Sequence, residues 1–365
     1  MIKPKYRLAT PGPVAVPADV LKEMASDLVY HREESFTKIN ASVTRALQRV
    51  MLTDSSVYVL TASGTGAMEA AVCNMVNPGD KVLVATAGKF GERWRELCIR
   101  YGAYVDELSR PYGESIPPEE LERRLLANDS ARCVFATLTE TSTGAVNDIR
   151  AFGDICHRLN RYLIVDAIAG LGGDELRTDA WHVDIVVGGS QKGMAAPPGL
   201  SFIAINPRAW ERCERVKSPR FYFDLRQAKK WGEKGQTPWT PAISVFYALD
   251  LGLKHMLKPG MPASWRQHRV VADALRRKVA ELGLELFPQH PSNSLTVMRM
   301  PDGVDGTAVV DIVKKRNKVL LANGQAEMRG KVVRIGHMGQ VSKADILRTF
   351  AHFAAAYRAV ARRRK

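Results

Sequence analysis

Cysteine is scarce in this 365-residue chain. The five present, Cys73, Cys98, Cys133, Cys156 and Cys213, are odd in number, scattered, and never form Cys-x-x-Cys. That argues against a disulfide scaffold and against a zinc site, and leaves them to be read as small buried hydrophobes. Long apolar runs are missing too. No stretch approaches the roughly 18 residues that a membrane-spanning helix requires. The opening MIKPKYRLATPGP has no apolar core of the leader type, so we expect no secretory signal, no membrane association and a cytoplasmic location. Acidic residues are in deficit, with 38 Asp and Glu against 53 Lys and Arg, a net charge of +15. Such a surplus suits nucleic acid or anionic metabolites. Yet there is no zinc finger, RRM signature or basic zipper. Apart from Arg362-Arg363-Arg364-Lys365 the cations are spread along the chain. A solvated basic surface is the expectation, with no nucleic-acid partner.

The remaining composition is ordinary for a globular protein, with 45% hydrophobic and 25% charged residues, which excludes bulk disorder. The length favours one large unit plus a smaller one. From residue 66 onward, helical and strand patterns alternate. Helices are expected over 66–76, 90–100, 118–127 and 149–159. Short apolar strands are expected over 81–87, 103–108, 133–138, 162–166, 184–187 and 200–205. Strands apolar on both faces and separated by helices indicate an α/β fold with a mainly parallel sheet covered on both sides. After about residue 240, long helices (242–256, 264–281, 307–315, 344–361) over a few strands (294–300, 331–335) suggest a smaller α+β unit. Residues 218–241, rich in aromatics, lysine and proline, read as an irregular connection.

In a parallel sheet the functional groups collect beyond the carboxyl ends of the strands. Glycine and polar residues gather there in this chain: AGKFG after the strand at 81–87, ETSTG after 133–138, DAIAG at the end of 162–166 and GGSQKG after 184–187. Lys192 in the last of these would stand at the sheet edge in a glycine-flanked loop. Alone it could be a surface lysine. Asp166 ends the strand Tyr-Leu-Ile-Val-Asp, and a carboxylate there is costly to bury unless it meets a cation or a strong donor. Together the two suggest a pyridoxal phosphate arrangement, a lysine for the Schiff base and an acid for the ring nitrogen. Ser63-Gly64-Thr65-Gly66 opens a helix, and small hydroxylated residues at a helix N-terminus suit a phosphate, though a plain N-cap has the same look. It is not a Walker loop. Phe90 could stack on a cofactor ring or sit in the core. Thr141 could bond a phenolic oxygen.

With these stretches in order, together with Thr10-Pro11-Gly12-Pro13, GKFGERW, GGSQKGMAAPPG and VVRIGHMG, the chain resembles the class V aminotransferases of fold-type I. That group includes alanine–glyoxylate and serine–pyruvate aminotransferases. The resemblance spans residues 8–340. It implies a mainly parallel seven-stranded sheet sandwiched by helices and a smaller C-terminal α+β domain. The divisions would be 1–20 (N-terminal segment), 21–241 (cofactor-binding domain) and 242–365 (small domain). It implies that Lys192 is the Schiff-base lysine and Asp166 the pyridine-nitrogen partner. Ser63, Gly64, Thr65 and Gln191 would hold the phosphate, Phe90 would stack, and Thr141 would offer its hydroxyl. Arg334 would grip the substrate carboxylate, which a bidentate guanidinium fits better than a lysine, with Gly12 beside the substrate. A threonine from a partner subunit, Thr237 or Thr240, would complete the phosphate site, implying an obligate homodimer. The implied reaction is ping-pong transfer of an amino group from alanine or serine to glyoxylate or pyruvate. Aspartate, 2-aminoethylphosphonate and ureidoglycine are alternative donors. Gln191 and Phe90 stand where cysteine desulfurases place histidines, which disfavours desulfuration. A noncatalytic binding protein on the same scaffold is the remaining alternative. Tyr30-His31-Arg32 could line the pocket and admit an acidic side chain, or make structural contacts.

Overall fold

In a computed structural model the chain is described over residues 6–362. The first five residues of the N-terminal segment, and Arg363, Arg364 and Lys365 of the basic terminus, lie outside the described residues. Seven strands form the central sheet: β1 (Ser56–Leu60), β2 (Lys81–Thr86), β3 (Tyr104–Ser109), β4 (Cys133–Thr137), β5 (Tyr162–Asp166), β6 (Ile185–Gly189) and β7 (Ser201–Ile205). Their order is β1-β7-β6-β5-β4-β2-β3. Only β7 runs against the others, pairing antiparallel with both β1 and β6. The sheet is therefore mainly parallel, as expected, and Lys192 lies in the hairpin-type connection between β6 and β7.

Alternation along these strands explains the layers. Leu83, Val134, Leu163, Val165 and Val186 face one side, against the helices Glu34–Met51, Ile149–Arg158 and Ile243–Leu257. Val82, Val84, Phe135, Ile164 and Val187 face the other, against Gly64–Met75, Lys89–Arg100 and Pro207–Arg215. Two apolar faces per strand need two covering layers, which is what near-continuous Val and Ile runs encode. The helix Ile243–Leu257 opens the C-terminal part of the sequence, yet Phe246, Leu249 and Leu253 place it in the first of these cores.

The smaller unit packs the strands Leu295–Arg299, Val332–Gly336 and Ala322–Asn323, all antiparallel, against long helices. Its core holds Val271, Leu275, Met298, Val333, Ile335 and Phe353, together with Ala9 from the N-terminal segment. That segment is tied down by the pairing of Arg7–Leu8 with Val319–Leu320. Among the described residues no helix is long and apolar enough to cross a membrane.

Two expectations change. Residues 218–241 are not wholly irregular: they hold the helix Leu225–Gly232, capped by Asp224, which accepts the Arg226 N–H, with Leu225 and Ala228 buried one turn apart. The strand β1 and the helices Glu34–Met51 and Pro207–Arg215 complete the layers and are not among the elements expected from the sequence pattern. The helix expected from Gly66 begins at Gly64.

Candidate active site

The carboxyl edge of the sheet gathers the expected residues. Asp166, the last residue of β5, is buried. Its Oδ1 accepts the Ile168 N–H at 2.8 Å, and no donor among the described residues reaches its other oxygen. Burial raises its pKa from 3.8 to about 7, and the Glu140 charge adds to this. The Ile168 bond and the Lys192 and Arg93 charges oppose the shift. Lys192, three residues beyond β6, donates to the Pro11 carbonyl at 2.6 Å. Burial pulls its amine down to about 8 against the attraction of Asp166, with Arg334 and Arg93 pushing the same way as burial. Each group lies within reach of the other's charge at the same edge of the sheet. Residues 11 and 12 lie against the Lys192 side chain. Gly12 has φ +126°, and a Cβ there would overlap the Lys192 side chain, so only glycine permits this approach.

The helix Gly64–Met75 begins at the same edge. Ser63 occupies its N-cap position without making a side-chain cap bond; the Gly66 N–H donates to the Ser63 carbonyl at 2.8 Å, and the Gly64 and Thr65 N–H groups remain available to an anion. Gly64 is small because Ile168 occupies the space of a Cβ. The Oε1 of Gln191 is buried with no partner among the described residues. Phe90 sits in the first turn of Lys89–Arg100. Thr141 is buried and its hydroxyl makes no hydrogen bond among the described residues.

Arg334 comes from the strand Val332–Gly336. It is buried, donates to the Thr141 carbonyl and the Asn323 carbonyl, each at 2.9 Å, and forms no ion pair among the described residues. Burial lowers its pKa to about 10, opposed by Glu140. A buried guanidinium with donors to spare is a receptor for a carboxylate.

Two members of the site were missed in the sequence. Glu140 accepts the N–H groups of Phe90 (3.0 Å) and Gly91 (3.1 Å) on one oxygen and the N–H and hydroxyl of Ser142 on the other. It caps the helix that carries Phe90, and burial outweighs these bonds to hold its carboxyl above the usual range. Arg93 donates to Thr65 Oγ1 at 3.1 Å and stands over the Phe90 ring, 4.7 Å from its centroid. Its position one helical turn after Phe90 is the only signal the sequence offered for Arg93. Arg32, by contrast, is engaged. It donates to the Thr237 and Pro238 carbonyls and to Gln236 Oε1, and it covers Trp231 at 4.0 Å. Thr237 is buried and donates to the Trp239 carbonyl, whereas Thr240 is exposed, 3.5 Å from His31 Nε2. No group of three or more His, Cys, Asp or Glu is placed to hold a metal ion among the described residues.

Relatives include the protein named soluble hydrogenase, small subunit, of Synechococcus sp., 36% identical, covering 94% of this chain and 90% of that one. The L-aspartate–glyoxylate aminotransferase of Paracoccus denitrificans is 32% identical over 92% and 87%. The crystal structure of alanine–glyoxylate aminotransferase from Nostoc sp. superposes with a TM-score of 0.94 at 31% identity, covering 98% of this chain and 96% of that one. The family model "Aminotransferase class-V" matches residues 18–346, and the chain belongs to that family.

Proposed function

We propose that this aminotransferase uses pyridoxal 5'-phosphate, works as a cytoplasmic homodimer, and moves the amino group of alanine or serine to glyoxylate or pyruvate. The observation that carries the reading is the pairing of half-buried Lys192 with buried Asp166 at one edge of the sheet, an amine bonded only to the Pro11 carbonyl and a carboxyl with one oxygen unbonded. The open Gly64 and Thr65 N–H groups at the start of the helix fit a phosphate, so the residues suit the cofactor. When bound, the cofactor would supply an aromatic electron sink for the charge left as the substrate loses its α-proton.

The chain's own groups account for the rest. Asp166 would hold the ring nitrogen through its free oxygen. Ser63, Gly64, Thr65 and Gln191 would bind the phosphate, and Phe90, fixed by Glu140, would form a wall. Thr141 would offer its unpaired hydroxyl to the ring substituent. Arg334 would orient the substrate carboxylate, with Gly12 and Pro11 limiting the space beside it. Lys192 Nζ, partly neutral near pH 8, would take the proton from the substrate α-carbon. We assign Thr240 rather than Thr237 to the partner's phosphate site, because Thr237 already gives its proton to Trp239. Five free, buried cysteines suit a reducing compartment.

Alanine–glyoxylate transfer is the activity named for the Nostoc protein, and the Paracoccus relative is named for aspartate. An aspartate donor needs a second cation for its side chain. The commitment of Arg32 to three oxygens of the 236–238 loop therefore supports the smaller donors. The test is a matrix of amino donors against 2-oxo acids with the purified protein, read by keto-acid release. Turnover with alanine or serine and glyoxylate is expected. Turnover confined to aspartate would overturn the donor assignment, and none with any pair in a protein that binds the cofactor would overturn the reaction.

A further inference from the structure

We propose that Arg93 supplies the side-chain cation of the phosphate cradle and fixes the Thr65 hydroxyl toward the phosphate, a role resting on the cofactor reading above. Three observations converge. First, Thr65 Oγ1 accepts from Arg93 Nη1 at 3.1 Å and donates to no atom among the described residues. A hydroxyl has one proton. With Arg93 on one lone pair, that proton stays free for an anion at the start of Gly64–Met75, where the Gly64 and Thr65 N–H groups are open.

Second, Arg93 is the unneutralised cation of its helix turn. On the same helix Lys89 pairs with Glu92 at 2.7 Å and Arg95 with Glu107 at 3.0 Å. Arg93 is only partly exposed and has no acidic partner among the described residues. A half-buried guanidinium with most of its donors unused is stabilised by an anion, and a phosphate ester matches its planar fork. Third, Arg93 is held in place without an ion pair. It lies over the Phe90 ring at 4.7 Å from its own helix, a cation–π contact that fixes the group while leaving its N–H edge free. One residue thereby links the aromatic wall to the phosphate loop. Its charge also reaches both Asp166 and Lys192.

The experiment compares pyridoxal 5'-phosphate with pyridoxal, which lacks the phosphate. Apo wild type, R93Q, R93K and T65V are titrated with each, following tryptophan fluorescence, with thermal unfolding as the check on folding. Failure of wild type to bind either compound would sink the cofactor reading itself. Given binding, R93Q is expected to weaken pyridoxal 5'-phosphate by roughly tenfold or more, the scale of one charge-assisted contact, with pyridoxal affinity within about twofold of wild type. R93K, which keeps the charge but not the fork, should fall between. The T65V and R93Q effects should not add, because one acts through the other. Equal weakening of both compounds would reduce Arg93 to a packing residue under Phe90. Unchanged affinity for both, with a raised KM for aspartate or another acidic donor, would make it a substrate residue. Either result overturns the proposal.

Discussion

The central sheet buries an aspartate at each of its edges, and the two are treated in opposite ways. Asp184, just before β6 at the amino edge, is fully engaged. Its carboxylate accepts the Leu163 N–H at 2.7 Å, Asn206 Nδ2 at 3.0 Å and Arg208 Nη1 at 3.1 Å. Asp166, at the carboxyl edge of the neighbouring strand, has one bond from Ile168 and no ion pair among the described residues. Burial raises both pKa values. At Asp184 a guanidinium, an amide and a backbone N–H oppose that push. At Asp166 the nearest cations act from a distance, and the carboxyl stays near 7. A scaffold closes its polar groups, whereas a site keeps some of them open for a ligand that will close them. Arg334, Gln191 and Arg93 are open in the same sense.

This comparison is tested most severely at Lys192. Lys192→Ala should cut transamination by about 10⁴-fold or more, since it removes both the covalent anchor and the base, while the unfolding midpoint of the apo-protein stays at or above that of wild type. A fall in stability of scaffold size would show that the lysine holds the edge together. The next largest effect is on stability at the other edge. Asp184→Ala leaves the Leu163 N–H without its acceptor and Arg208 with only the Asn160 and Arg161 oxygens, and removing one partner of a buried pair costs about 3–5 kcal/mol. Denaturant unfolding should register this, with little change in KM for whatever molecules remain folded.

Asp166→Asn should do the reverse in the apo-protein. The folded pKa of about 7 lies above the ordinary carboxyl value near 4, so folding favours the protonated form. The stability this gives is fully present below about pH 4 and is lost as the pH rises through 7. At pH 8 the wild type therefore buries a carboxylate that the amide does not. The variant should be the more stable of the two by roughly 2–4 kcal/mol at that pH, and the gap should close by pH 4. Chemical denaturation at several pH values reads the difference directly. A gap that widens on acidification would mean that Asp166 is a satisfied structural acid.

Much of this was legible in the sequence because it depends on local order. Strands apolar on both faces gave the parallel sheet, and glycine-rich loops at their ends gave its functional edge. The pairing of Asp166 with Lys192 followed from placing both at that edge. Arg93 and Glu140 did not emerge because their partners are remote, Thr65 lying 28 residues and Phe90 lying 50 residues away. A carboxylate that caps a helix from another loop has no spacing to read. The helix Leu225–Gly232 was hidden by the lysines and aromatics around it, although Asp224 at its N-cap was a usable sign. The double reading of Arg32 reflects the same limit, since a basic residue in a loop does not announce whether it faces a ligand or a carbonyl.

Arg32 therefore sharpens the comparison at its smallest scale. By the criterion of open and closed groups it belongs to the scaffold, because three oxygens and the Trp231 face occupy it. Its guanidinium is what shapes residues 236–238, ahead of Thr240. Arg32→Ala should cost about 1–3 kcal/mol, the range for hydrogen bonds to a charged group. Affinity for pyridoxal 5'-phosphate should weaken a few-fold through the loop, and the ratio of KM values for alanine and aspartate should not move. Donor kinetics at saturating cofactor separate the two cases. A KM rise confined to aspartate would mean that the carbonyl contacts are given up when substrate enters, and that a group closed in the free protein can still belong to the site.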